Sequence, residues 1–143
     1  MEAKFEEFAQ DAKRFIETVA QELGTPDDVD HAYRVTQAVI QSLRDHIPIE
    51  ESMEMIAQLP MILKAMYVNG WRISKERKHY HSKQELLESV CKEADRAEHF
   101  DFQNNCKGAV QAVLRTIKRF VDAEELVDVR GQMPEEVAEI MYA

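Results

Sequence analysis

The two halves of this chain carry the same order of residue types, and this internal repeat is the feature that most constrains its fold. The match runs at a shift of 71 residues near the N-terminus and of 74 residues after three extra residues near His99. It joins residues 15–19 to 86–90, 38–40 to 112–114, and the Gln-apolar-Pro triplet at 58–60 to that at 132–134. Two unrelated amphipathic helices would share apolar spacing, but not a proline break at one fixed shift. We therefore expect two diverged copies of one unit, each covering an apolar face of the other.

Both copies are predicted to be helical. Apolar residues recur at three- and four-residue steps from Phe5 to Leu23 and from Ala32 to Ile47, as one buried helix face requires. Four glycines and four prolines are too few for the turns of a sandwich or barrel. The expected fold is all-α, with about eight helices in two tandem four-helix repeats that form one compact body. Repeat 1 with an N-terminal extension takes residues 1–70, a basic linker residues 71–81, and repeat 2 residues 82–143.

Capping residues predict where the helices begin and end. Gly24 should end the first helix in the left-handed conformation, and Thr25 with Pro26 should open the second. Residues 50–58 and 60–68 are predicted to form the third and fourth helices, and the capping box at 82–85 to open the fifth. A sixth helix follows at about 102–121, a seventh is capped at 122–125, and Pro134 opens an eighth. Acidic pairs at 27–28, 50–51 and 124–125 fit these helix starts.

Charge and hydropathy exclude several classes of protein. The formal net charge is −9, which opposes binding to nucleic acid or anionic lipid unless basic residues cluster. No apolar run approaches the roughly 20 residues that a membrane-spanning helix needs. The N-terminus is acidic and lacks the apolar core of a signal peptide. We expect a cytoplasmic protein with no membrane partner, with nucleic acid as an unfavoured partner, and with no cofactor.

One apolar surface is present in the first copy and missing from the second. Met61, Ile62 and Ala65 of the first copy correspond to residues 135, 136 and 139, which are all glutamate. The first copy should therefore have an apolar face that needs a cover. Phe5 and Phe8 of the N-terminal extension, or the second repeat, would be an internal cover. The alternative is a binding surface for a protein partner or for a second copy of the chain.

The linker is the one basic segment of this acidic chain. Residues 69–83 hold five basic residues and one acid, a balance of +4. Its candidate anion-binding residues are Arg72, Lys75, Arg77 and Lys78, with Trp71 and Tyr80 as neighbouring aromatic residues. A nucleic acid or a phosphorylated metabolite would suit this chemistry. The alternative is a solvated connector that balances the acidic halves, with Trp71 packed into repeat 1.

Catalytic and metal motifs are weak in this sequence. There is no glycine-rich phosphate loop, no nucleophile elbow and no His-Glu-x-x-His pair. His79, His81 and Glu76 are the best metal candidates, but no fourth ligand accompanies them, so we expect no metal. Cys91 and Cys106 lie on apolar helix faces and are expected to be buried core thiols rather than a redox pair. We predict no catalytic residue and favour a protein that is not an enzyme.

The motifs Gln58-Leu59-Pro60 and Asn69-Gly70-Trp71 carry a family resemblance. With them, the chain resembles a bacterial domain-of-unknown-function family, DUF2267, from about Phe15 to Tyr142. The second repeat departs from the pattern, because Gln132-Met133-Pro134 has no Gly-Trp after it. The resemblance implies an all-helical bacterial protein and supplies no activity, cofactor or catalytic residue. The function that we expect is a non-catalytic protein-interaction or self-association module, with anion binding at the linker as the alternative.

Overall fold

The computed structural model describes residues 4–72, 83–95, 105–123, 137 and 139, and six helices lie within these ranges. They are α1 (Phe5–Glu22), α2 (Val29–His46), α3 (Ile49–Ala57), α4 (Met61–Val68), α5 (Lys83–Asp95) and α6 (Cys106–Ala123). No strand occurs among these residues, so the all-α prediction is confirmed. The predicted seventh and eighth helices lie largely outside the described residues, although positions 137 and 139 are helical. The number of helices and the domain boundaries therefore stay predictions.

Helix α1 ends as its sequence predicts. Its inner face buries Phe15, Val19 and Ala20 completely. Gly24 follows the helix with a φ of 82°, the left-handed conformation in which a side chain would be strained. This turn lets the Thr25 N–H donate to the Ala20 carbonyl at 3.0 Å, which satisfies one of the last free carbonyls of the helix.

Helix α2 begins three residues later than the capping pattern suggested. Thr25 and Pro26 do not open it; they form a turn in which the Asp28 N–H donates to the Thr25 carbonyl at 3.0 Å. The N-cap is Asp28, whose Oδ1 accepts from the His31 N–H at 3.0 Å. Threonine and aspartate are both good N-caps, so residue type alone does not decide between Thr25 and Asp28. Asp28 also places a negative charge at the positive end of the helix dipole.

Prolines set the starts of the two short helices. Pro48 and Pro60 are the N-caps of α3 and α4, with ψ values of 156° each, so both are extended residues just before the first turn. A proline at this place costs no helical hydrogen bond, because backbone N–H groups at the start of a helix have no partner inside it. Gly70, with a φ of 77°, reverses the chain after α4, and the Trp71 N–H donates to the Val68 carbonyl at 3.0 Å.

Four longer helices surround the core. Helix α1 packs against α2 and α6, and α5 packs against the same two helices. Helix α4 lies against α1 and α2. Among the largest side chains of this core with almost no exposure are Phe15, Ile40, Leu43, Tyr67, Leu114 and Ile117. The core thus joins residues from both halves of the sequence, and α4 forms an additional wall beside α1 and α2. None of the described helices has the length and apolar composition to cross a bilayer.

Candidate protein-interaction groove

The outward face of α4 carries the residues that the comparison of the two copies singled out. Helix α4 buries Leu63 and Tyr67, which lie four residues apart on its inner face. On its outer face Met61 is 50% exposed and Ile62 41% exposed, and Ala65 is also exposed. Phe5 does not cover them, because it is itself 75% exposed. The three predicted partner-binding residues therefore share one accessible surface.

A groove of about 240 Å³ lies beside Ile62, between three helices. Its apolar walls are Ala12 and Ile16 of α1, Val29 and Tyr33 of α2, and Ile62 and Met66 of α4. Two charged side chains, Lys13 and Asp30, also line it. Small-molecule sites occupy about 300–1,000 Å³. This groove is smaller than that range, so it fits one or two apolar side chains of a protein better than a metabolite.

A buried arginine fixes the position of α4. Arg44 of α2 is 6% exposed, and its Nη1 donates to the carbonyls of Tyr67 at 3.0 Å and Asn69 at 2.9 Å. Its Nε donates to Oδ1 of Asp45 at 2.9 Å, so the buried charge has a carboxylate partner. The Gln41 side chain donates to the Met66 carbonyl at 2.9 Å. These donors satisfy carbonyls at the C-terminal end of α4, where a positive charge is favourable.

Two aromatic residues, Tyr67 and Trp71, also help to hold α4 in position. The hydroxyls of Tyr67 and Ser52 are 2.7 Å apart and share a buried hydrogen bond that joins α4 to α3. The Trp71 ring meets the Tyr67 ring edge to face, with centroids 6.0 Å apart. Trp71 thus packs against Tyr67 of α4, as the connector interpretation of the linker predicts, and the Asn-Gly-Trp motif serves to end and anchor α4.

The predicted anion-binding residues are mostly outside the described part of the chain. Arg72 is described and exposed. Lys75, Arg77 and Lys78 lie in the segment 73–82, which the structure does not describe, as do the metal candidates Glu76, His79 and His81. Where the structure does describe the chain, no three metal-ligating side chains come together. The anion site stays a prediction from sequence.

A second, polar cleft of about 370 Å³ was not predicted from the sequence. It lies where the end of α1 and the start of α2 meet α6, and its ionisable residues are Glu22, His31 and Arg115. Arg119 makes an ion pair of 2.8 Å with Glu22, joining α6 to α1. These residues are far apart in sequence and follow no motif.

The cysteines are not free thiols, and that expectation was wrong. Cys91 of α5 and Cys106 of α6 form a disulfide, with Cα atoms 5.8 Å apart. The apolar periodicity of each helix was predicted correctly, but it does not show that the end of α5 lies beside the start of α6. Both residues are half-buried at that junction. The bond closes a loop with a sequence separation of 15 residues.

Comparison with known proteins gives a family without an assigned activity. No curated protein matches the chain. The sequence model of one family, described as "Uncharacterized conserved protein (DUF2267)", matches residues 12–140. This match includes the groove residues of α1, α2 and α4 and both cysteines. Because it covers most of the chain, it confirms the resemblance seen in the sequence: the protein belongs to the DUF2267 family.

Proposed function

We propose that this chain is a non-catalytic bacterial protein-interaction module, which binds through the groove and the outer face of α4. The observation that carries the proposal is the exposure of Ile62, 41%, beside a groove with apolar walls from three helices. Single exposed apolar residues are normal on protein surfaces. A continuous apolar surface with charged residues at its edge is typical of a binding site.

The size of the apolar contact sets the expected effect of a substitution. Complete burial of one aliphatic side chain contributes about 1.5–3 kcal/mol. Ile62 is already more than half buried, so burying its remaining surface would strengthen binding by roughly tenfold or less. A charge at the same position would in addition have to be desolvated. Ile62→Glu is therefore expected to weaken binding of a partner by more than tenfold while leaving the core intact.

We also propose that the fold consists of two tandem repeats. Paired burial supports this, because Leu43 and Ile117, which correspond at the 74-residue shift, are both 0% exposed. Leu63 and Val137, at the same shift, are 1% and 0% exposed. The packing also has the symmetry that a duplication would give, since α1 and α5 each pack against both α2 and α6.

Site-specific photocrosslinking in the native host would test the binding surface. A photoreactive phenylalanine analogue at position 62 should give discrete crosslinked species. The matched control is position 53, because Met53 is 58% exposed but belongs to α3 and does not line the groove. We expect crosslinks at 62 that are absent at 53, and that disappear when Met61 is also changed to glutamate. Equal crosslinking at both positions would contradict the proposed surface.

Anion binding at the linker is the alternative function, and it depends on the +4 balance of residues 69–83. Binding to an anionic ligand should weaken steeply as salt increases, because counterions compete with it. The substitutions Arg77→Glu and Lys78→Glu together should remove it. Fluorescence anisotropy with a short labelled single-stranded DNA and with inorganic polyphosphate, at low salt, would measure this. No binding of either probe would exclude the alternative.

A further inference from the structure

The groove continues along one face of α1. Phe5, Phe8, Ala12 and Ile16 are spaced by three and four residues, so they form one stripe on the helix surface. Ala12 and Ile16 line the groove, whereas Phe5 is 75% exposed and Phe8 half-buried. The same stripe thus contains a groove at one end and a protruding aromatic side chain at the other. Such a surface is complementary to itself.

The charges beside this stripe are also self-complementary. Glu6 and Lys13 are seven residues apart, close to two full turns, so both lie on the same flank of the stripe. Both are exposed. They are too far apart along the helix, about 10 Å at 1.5 Å per residue, to pair within one chain. In two antiparallel α1 helices equal flanks face each other, so Glu6 of each copy would lie near Lys13 of the other. In a parallel pair opposite flanks face each other, so Glu6 would not lie near Lys13 of the other copy.

We propose that the occupant of the groove is a second copy of this chain. The two α1 helices pack antiparallel about a two-fold axis, and Phe5 of each copy enters the groove of the other. Lys13 is one of the two charged residues of the groove, so the adjacent pair Phe5-Glu6 would contribute both the apolar side chain and the matching charge. This inference rests on the proposed function, because it assigns an occupant to the same surface.

Charge reversal gives a test that only this pairing passes. Sedimentation equilibrium of the wild type over about 5–500 µM should show a monomer–dimer equilibrium with a dissociation constant of about 1–100 µM, since the paired surface is small. Glu6→Lys alone and Lys13→Glu alone should each weaken the dimer at least about tenfold by placing like charges together. An equimolar mixture of these two variants should associate again, because one copy then carries two lysines and the other two glutamates. The double variant Glu6→Lys with Lys13→Glu should also dimerise.

A second variant removes the aromatic side chain. Phe5→Glu should weaken the dimer about 100-fold or more, because both copies lose the contact. Its fold should be unchanged by circular dichroism, since Phe5 is largely exposed. Met53→Glu, on α3, is the control and should leave the dimer unchanged.

The photocrosslinks at position 62 separate this inference from the proposed function. A product of twice the 16.6 kDa mass of one chain supports self-association. Products of other masses only, with a monomeric wild type in sedimentation, would overturn the self-pairing and leave the interaction surface in place. A dimer that does not respond to Glu6→Lys or Phe5→Glu would overturn the antiparallel arrangement. No crosslink at 62 beyond that at 53 would contradict both proposals.

Discussion

Reduction of the Cys91–Cys106 disulfide should lower the free energy of unfolding by about 3 kcal/mol. In the chain-entropy account, a crosslink stabilises a protein by restricting its unfolded chain, and the effect grows with the logarithm of the loop length. The sequence separation of 15 residues gives about 10 cal/mol/K, or about 3 kcal/mol at 25 °C. A chain of this size has a urea dependence of about 1–3 kcal/mol/M, so the midpoint should fall by about 1–3 M.

Urea denaturation followed by circular dichroism would measure this difference, with the wild type oxidised in one series and treated with a phosphine reductant in the other. The control is the double variant Cys91→Ala with Cys106→Ala, whose midpoint should not respond to the reductant. Thiol titration of the denatured oxidised protein should find no free cysteine. The reasoning fails if the oxidised and reduced proteins differ by less than about 0.5 kcal/mol, the usual scale of surface changes. Two free thiols in protein purified without reductant would contradict the crosslink itself.

Three further substitutions test how the helices end and pack. Asp28→Ala should lower the free energy of unfolding by about 1 kcal/mol, because it removes the N-cap of α2. The control Asp27→Ala makes the same change in charge and should lower it much less. Thermal denaturation would compare the two variants. Gly70→Ala should cost about 1–2 kcal/mol because φ is 77° there, and Gly70→Asn should cost less; the same denaturation assay applies. Arg44→Ala should lower the free energy of unfolding by about 2–4 kcal/mol, because it leaves two carbonyls at the end of α4 without their donor. The control is Arg34→Ala on the same helix; Arg34 is exposed, so urea denaturation should show almost no change.

Periodicity predicted the helices because it reports which face of a helix is buried. The inner stripes of α1 and α2 follow from three- and four-residue spacing, and the end of α1 follows from Gly24. The start of α2 was misplaced because Thr25 and Asp28 are both acceptable N-caps. Only the turn geometry decides between them, and the hydrogen bond from the Asp28 N–H to the Thr25 carbonyl selects the second.

Helical periodicity does not predict contacts between segments that are far apart in the sequence. The glutamates at positions 135, 136 and 139 identified Met61, Ile62 and Ala65 as an apolar face that needs a cover, and left open whether this cover is internal or a partner. It did not show that Tyr33 of α2 and Ile16 of α1 stand beside them, because that depends on how α4 packs on both helices. The disulfide was missed for the same reason. Amphipathic patterns show that a cysteine faces the core, but not which residue it meets there.

Helix α4 is held to α2 through its backbone, and this leaves the residues of its outer face free to change. Arg44 and Gln41 bind main-chain carbonyls of Met66, Tyr67 and Asn69, and every amino acid supplies such a carbonyl. The outward residues of α4 can therefore be exchanged without loosening its attachment to α2. Under the proposed function, the binding surface of α4 can therefore diverge among family members, or be redesigned, with little effect on folding.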